Sequence, residues 1–319
     1  MPEPSVTAVV CTYNRCESLR DTLNSLKKQS LAGGATLEII VVDNNSTDRT
    51  PQIVQEAAAD SPWPIRAVVE ENQGIAHARN RGLREARGEF IAFIDDDAIA
   101  ETDWASRLIR CFQETGSDMV GGKVEMLWLT PRPEWLSNDL LGPMPRVDFG
   151  KERKRCTRMH ETFLTTNCTV RKTSLTRYGI FDTTLGRYRD RWVGGEDLEL
   201  CQRWITAGAV VHYEPEAVVQ HKIGPERVTP TFYRRWFEDI GYTQGHQLPW
   251  KWHLRLTIMP VWRWKAFFKA WTRYAAAPKE LQAELWWLFQ RSFLKERFSH
   301  WRAYFLGTSK PACHFARSF

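Results

Sequence analysis

Residues 90–98 read FIAFIDDDA, five apolar residues closed by three consecutive aspartates. The run has the length of a buried strand, and it ends where the chain should leave the core. Carboxylates packed side by side repel, and each resists losing its water. A divalent cation removes both objections, because Mg²⁺ and Mn²⁺ take hard oxygen ligands and also bridge phosphates. A solvated acidic turn capping a helix from about Thr102 is the plainer alternative. Three acids directly behind such a strand favour the metal.

Outward from this point, residues 6–11 (VTAVVC), 38–42 (EIIVV) and 65–69 (IRAVV) read as further strands. Between them, residues 17–28 form a helical pattern with Leu19, Leu23 and Leu26 on one face, and residues 47–59 and 74–87 are helical as well. Strands alternating with helices predict a parallel sheet with crossover helices. Ligands in such folds bind beyond the carboxyl ends of the strands. Those ends are Thr12-Tyr13-Asn14, Asp43-Asn44-Asn45 and Asp95-Asp96-Asp97. Asp43 can accept from a base or ribose, or simply close an Asx turn. Arg79, on the helix behind Gly74, can approach a phosphate. There is no GxGxxG after the first strand and no GxxxxGK[ST], which disfavours a dinucleotide dehydrogenase and a P-loop NTPase.

Further along, residues 127–160 are Pro-rich and then strongly basic (KERKRCTR, 151–158), and read as a long mobile loop beside the site. Residues 163–170 and 209–213 read as short strands and 197–207 as a helix, with His221 closing the acidic region. Trp192-Val193-Gly194-Gly195-Glu196-Asp197 leads into that helix. Its glycines allow a close backbone approach, and a helix N-terminus holds carboxylates ionised. An ionised carboxylate there could be a general base, although capping explains Glu196 or Asp197 singly.

The 319 residues are 43% hydrophobic and 26% charged, which is ordinary globular composition. The net charge of +6 hides a division: residues 1–225 carry 28 basic against 32 acidic residues (net −4), and residues 226–319 carry 16 against 6 (net +10). Nine of the fifteen tryptophans also follow residue 225. The start shows no secretory pattern, and no stretch reaches the ~18–20 apolar residues of a spanning helix. Even LTIMPVWRWKAFF (256–268) is broken by Pro260, Arg263 and Lys265. The seven cysteines (11, 16, 111, 156, 168, 201, 313) are odd in number and contain no CxxC, against a disulfide framework or a zinc knuckle. A reducing, cytoplasmic setting is expected.

In order, VVCTYNR (9–15), VVDNNSTD (41–48), NQGIAHARNRG (72–82), FIAFIDDDA (90–98), TTNCTVRK (165–172), GIFDTTLG (179–186), GGEDLELCQRW (194–204) and the histidine of VVQH (218–221) resemble a family 2 glycosyltransferase. The resemblance covers about residues 5–225. It implies an α/β fold of the GT-A type, a Rossmann-like mixed sheet flanked by helices, here followed by a C-terminal helical extension. It implies a nucleotide-diphosphate-sugar donor and a divalent metal, Mg²⁺ or Mn²⁺, at a D-x-D motif. Thr12, Tyr13, Asn14, Arg15 and Asp43 would hold base and ribose, with Arg79 near the phosphates and Asp96 within the acidic donor-binding run. Asp97 would be the direct metal ligand, Asp95 the other acid of the motif, and His221 the residue completing the metal site. Asp197 of the Glu196–Asp197 pair would be the catalytic base of an inverting transfer. Processive members carry Q-x-x-R-W followed by membrane helices; Cys201-Gln202-Arg203-Trp204 lacks that spacing, so addition of one sugar is expected. The acceptor would be a lipid-linked saccharide in polysaccharide or glycolipid synthesis.

The expected organisation is a nucleotide-sugar-binding catalytic domain over 1–225 and a basic, Trp-rich helical region over 226–319. In the latter, residues 260–277 place Trp264, Phe267, Phe268, Trp271 and Tyr274 along one stripe, opposite Lys265, Lys269 and Arg273. Residues 279–305 form a longer helix with Leu281, Leu285, Leu288, Phe289, Phe293, Trp301 and Phe305 inward or toward a membrane. Such helices pack on the body, meet anionic lipid at the inner membrane face, or do both. Nucleic acid ranks below lipid, because no nucleic-acid motif accompanies the basic residues. Two other functions compete. A nucleotidyltransferase would want a glycine-rich basic loop where CTYNRCESL stands, and a non-catalytic nucleotide-sugar-binding module need not keep every acid.

Overall fold

The apolar runs become strands because they are buried on both faces. In the computed structural model, which describes residues 5–158, 160–188, 191–247 and 261–306, β1 (Val6–Thr12) pairs in parallel with β2 (Leu37–Asp43) and with β4 (Phe90–Asp95). β2 pairs in parallel with β3 (Ile65–Val69). Alternate residues serve opposite cores: Val6, Ala8 and Val10 pack into one, with Leu19, Leu23 and Leu26 of α1 (Cys16–Lys27), and Val9 packs into the other. Each fully buried leucine contributes about 1.5–3 kcal/mol. The crossovers are completed by α2 (Thr50–Ala59), α3 (Ile75–Glu85) and α4 (Trp104–Thr115). α2 starts later than residue 47 because the Asp48 carboxylate accepts from the backbone N–H groups of Cys16 and Thr50, at 2.9 and 3.0 Å, which holds the turn outside the helix.

The sheet is mixed where strands alternating with helices predict a parallel one. Beyond β5 (Ala98–Ala100) and β6 (Met119–Trp128), the short β7 (Lys154–Arg155) and β8 (Cys168–Arg171) follow. β8 is inserted antiparallel between β4 and β6. Residues 165–167, expected in a strand over 163–170, form a 3₁₀ turn instead, and the strand starts only at Cys168. The two short strands β9 (Gly186–Tyr188) and β10 (Arg191–Val193) precede α6 (Glu196–Thr206), with α5 (Leu175–Tyr178) before them. The expected short strand at 209–213 is the beginning of β11 (Val211–Ile223), parallel to β6 with a register shift between Glu214 and Val218. The principal sheet runs in the order β3-β2-β1-β4-β8-β6-β11-β5.

The stretch 127–160 is not one loop. β6 continues to Trp128, Val147 bridges back to Val124, and Cys156 is buried. Its basic run is tied down: Arg153 donates to Glu214 at 2.6 Å and to Glu114 at 2.5 Å, and Lys154 to Glu161 at 3.0 Å.

The chain divides into two units, the first comprising residues 1–130, 144–188 and 195–223, the second residues 131–143, 189–194 and 224–319. In the second, α7 (Pro230–Gln247), which the sequence pattern does not announce, packs along α9 (Leu281–Leu306). Gly241 and Gly245 sit one turn apart on α7, where a Cβ would lie 2.3 Å from the Phe289 carbonyl oxygen and 2.9 Å from that of Phe293. Only glycine permits so close an approach of the two helices. The expected helices over 260–277 and 279–305 are α8 (Val261–Ala276) and α9. Residues 256–260, Cys313 and the side chains of Trp192 and Phe305 lie outside what is described. Among the described residues no helix is long and apolar enough to cross a membrane.

Asn167 locks the first unit. Fully buried, it accepts from the Trp104 indole N–H at 2.9 Å and donates to the carbonyls of Lys123 and Ala217 at 2.9 and 2.8 Å. Asn167→Ala strands three polar groups in the core, so a loss of about 3–5 kcal/mol is expected. Urea unfolding should show a lowered midpoint with an unchanged slope; a wild-type midpoint would refute this bracing role.

Candidate active site

Strand register builds the site. Thr12 lies opposite Asp43 across β1 and β2, and Cys11 opposite Asp95 across β1 and β4, so three strand ends finish level. β5 then pairs with β11 so that Ala98 meets His221, which brings a histidine beside acids far from it in sequence. The Lys222 N–H fixes this corner by donating to the Asp97 carbonyl at 2.9 Å.

The three aspartates do three different things. Asp96 is buried and accepts from the Thr12 hydroxyl at 2.7 Å and the Arg15 guanidinium at 2.9 Å. Burial pushes its carboxyl up to about 6; Arg15 pulls the other way, and Asp97 adds to the rise. Asp97 is buried as well, with Oδ2 accepting from Arg15 at 2.8 Å and Oδ1 lying 3.0 Å from His221 Nε2. Asp95 is more open; its carboxylate accepts from the Thr166 hydroxyl and stands 3.8 Å from His221 Nε2.

Asp95, Asp97 and His221 offer ligand atoms within 4.8 Å of one another. His221 Nδ1 lies 2.9 Å from the Lys222 carbonyl, an acceptor only, so Nδ1 donates there and Nε2 faces the carboxylates. Two carboxylates and an imidazole nitrogen converging in this way form a donor set that could hold a cation. Oxygen donors with one nitrogen suit Mn²⁺ and tolerate Mg²⁺.

The second acidic pair stands at the start of α6. Gly195, at φ 100°, caps the helix in a left-handed conformation that favours glycine, and this turns Glu196 inward. Arg79 of α3 is buried, donates to Glu196, and holds its other arm 3.9 Å from Asp95. It therefore links the two acidic groups, and its guanidinium is committed to Glu196 where the sequence suggests a phosphate contact. Asp197 accepts from the Leu198 N–H at 2.8 Å. Its carboxyl is pushed up to about 7, first by burial and then by Glu196, against the opposing pull of Arg79. The helix start does not hold it fully ionised, because those two effects outweigh the dipole.

The remaining expected residues line the same edge. Tyr13 is half exposed, and Asn14 takes a φ of 52° and accepts from the Thr47 N–H at 2.7 Å. Asp43 closes an Asx turn through one oxygen, which accepts from the Ser46 N–H at 2.8 Å. Arg15 pairs with Asp96 and Asp97. Sequence reasoning missed Thr166 and Asn44, though both lie in quoted blocks. Asn44 is buried and accepts from the Gly74 N–H at 2.8 Å, which sets the start of α3. A polar residue among strand-end polars was the signal available. A cavity of about 410 Å³ abuts α6, where Leu198, next to Asp197, lines it with Arg146, Asp148, Phe149, His160 and Leu164. In α6 itself, Trp204 is fully buried and Arg203 donates to Glu199 and to the Ile180 carbonyl, so both serve packing.

Known proteins share this architecture. The sequence profile described as Glycosyl transferase family 2 matches residues 7–179. The succinoglycan biosynthesis protein ExoM of Rhizobium meliloti (strain 1021) is 30% identical over 246 residues, covering 76% of this chain and 75% of that one. The glucosyl-dolichyl phosphate glucuronosyltransferase of Haloferax volcanii is 29% identical over 225 residues, 68% of this chain and 69% of its own. Among solved structures, Staphylococcus aureus TarS 1–349 in complex with UDP superposes with a TM-score of 0.55 at 18% identity, covering 95% of this chain and 92% of that one. The mannosyltransferase PcManGT of Pyrobaculum calidifontis, in complex with GDP-Man and Mn²⁺, does so with a TM-score of 0.56 at 20% identity, covering 96% and 88%. The fold is thus that of GT-A enzymes, and the profile match together with a relative alike over three quarters of the chain shows that this protein belongs to glycosyltransferase family 2 and is a glycosyltransferase.

Proposed function

We propose that the enzyme moves one sugar from a nucleotide-diphosphate sugar to a hydroxyl of a lipid-linked saccharide, with inversion and with a divalent cation, in the assembly of a cell-surface polysaccharide or glycolipid. The observation that carries this reading is the Asp95–Asp97–His221 cluster joined through Arg79 to the Glu196–Asp197 pair. The donor is supported by neighbours crystallised with UDP and GDP-Man, the cation by the Mn²⁺ in one of them, and the acceptor by relatives named for succinoglycan synthesis and for glucosyl-dolichyl phosphate. A cytoplasmic site of action is in keeping with the free cysteines among the described residues.

Asp95, Asp97 and His221 would hold the cation, whose charge would stabilise the departing diphosphate. Thr12, Tyr13, Asn14 and Asp43 border the place of the base and ribose, Asp43 using the oxygen that its turn leaves over. Thr12 and Arg15 keep Asp96 and Asp97 in place. Asp197 takes the proton of the acceptor hydroxyl as that oxygen bonds to the anomeric carbon and the bond to the diphosphate breaks. The new bond forms opposite the old one, hence inversion. Burial, and after it Glu196 fixed by Arg79, keeps the Asp197 carboxyl basic enough to accept that proton near neutral pH. The cavity beside Leu198 presents polar and apolar walls together, as the edges and faces of a pyranose require, and we assign it to the acceptor.

Three outcomes test this. Asp197→Asn should keep donor binding and lower kcat by at least about a hundredfold; near-normal turnover at saturating donor would remove Asp197 as the base. A carboxyl near 7 is protonated below that pH and ionised above it, so transfer should rise through about pH 7 and then level off. A profile flat from pH 5.5 to 8.5, spans of roughly 1.5 units either side chosen from that pKa, would contradict the assignment. Mn²⁺ should raise the thermal midpoint of the wild-type protein by mass action, and Asp97→Ala or His221→Ala should abolish the shift; an undiminished shift in both variants would place the cation elsewhere.

A further inference from the structure

The stripe of aromatics on α8 is not one face. Phe267 meets the Trp287 ring at 5.3 Å and Tyr274 stacks on it at 6.1 Å, so these two side chains bind α8 to α9. Arg263 lies over Phe293 at 4.5 Å on the same inner side. Phe268 and Trp271 turn away and are 53% and 49% exposed. At 100° per residue they sit about 60° apart, with Trp264 between them and stacked on Phe268 at 6.0 Å. Lys265 and Lys269 follow on the adjoining flank, both exposed and without an ion-pair partner among the described residues. The outward side of α8 is therefore divided lengthwise into an aromatic strip and a cationic strip.

Two large exposed aromatics on one turn are costly to leave in water unless something covers them. A second copy of this chain would bring the same cations against these, and a protein groove would not need a cationic flank of this kind. Anionic lipid answers both strips at once: rings enter the boundary between headgroups and acyl chains, and lysines meet the headgroup charge. The surplus of basic residues after 225 complements such a surface in sign. A helix of 16 residues lying in that plane extends about 24 Å.

We propose that Phe268, Trp271, Lys265 and Lys269 of α8 form a peripheral docking face for anionic bilayers. It deepens the reading of a lipid-linked acceptor, because such an acceptor resides in that interface. Flotation of the full chain with phosphatidylglycerol–phosphatidylcholine vesicles, in the absence of donor and acceptor, tests the face independently of the chemistry. The wild-type protein should float with the mixed vesicles, less so with phosphatidylcholine alone, and release as salt is raised. Lys265→Gln and Lys269→Gln should each lower the partition coefficient about fivefold, and Phe268→Ser with Trp271→Ser should abolish flotation even at low salt. Far-UV circular dichroism and metal-dependent donor hydrolysis should match wild type in all of them. No flotation of the wild-type chain, equal flotation of the variants, or retention on single-stranded RNA without vesicle binding would each overturn the proposal; flotation of the wild-type chain without any metal-dependent donor hydrolysis would instead count against the proposed reaction and leave the docking face standing.

Discussion

Three adjacent carboxylates at the end of a buried strand cannot be packed unless their charge is answered, and much of the structure is arranged around that answer. Thr12 and Arg15 come from the end of β1, Thr166 from the 3₁₀ turn before β8, His221 from β11 and Arg79 from α3. Four separate parts of the chain thus supply the partners. Asp96, central in the run, has both carboxylate oxygens engaged by Thr12 and Arg15, which leaves Asp95 and Asp97 to face the histidine. The pattern D-x-D is in this sense a packing outcome: the middle acid is turned inward.

Arg79 extends the same logic to the second acidic pair. Its guanidinium is nearly enclosed and holds Glu196, while Asp197 next door has no equivalent ion pair among the described residues and is given a raised affinity for a proton first by burial. Two neighbouring carboxylates are thereby placed differently, one paired with a buried arginine and one with its carboxyl pushed up to about 7.

The parts legible in sequence were those with one dominant signal. FIAFI, VTAVVC and EIIVV are strands on any reading, and β1, β2, β3 and β4 follow them closely. β11 was shortened to five residues because Glu214, Pro215, Glu216, Gln220 and His221 interrupt its apolar pattern; each alternates outward or meets a local partner, which only the register reveals. The basic run at 151–158 looked mobile because its acid partners, Glu114 and Glu214, lie far off in sequence. The tail aromatics fall on a helix but not on one stripe, because helical spacing alone does not say that Phe267 and Tyr274 meet Trp287 while Phe268 and Trp271 do not. The acids of the site were visible as residues; Thr166, Asn44 and Asn167 were not, since a lone polar residue announces its partner only in space.

The antiparallel β8 and the long β11 have a consequence for the growing chain. β1, β2 and β4 leave the ribosome with their three strand ends complete by Asp97, but the sheet cannot add β8 until residue 171 or place His221 until β11 has emerged. Closing that distance costs loop entropy before any contact repays it. For the time it takes to synthesise everything between Asp97 and His221, the nascent protein carries a dense cluster of acids without its last partner. Assembly of the site is therefore a late event, since the acids meet His221 only once β11 pairs with β5.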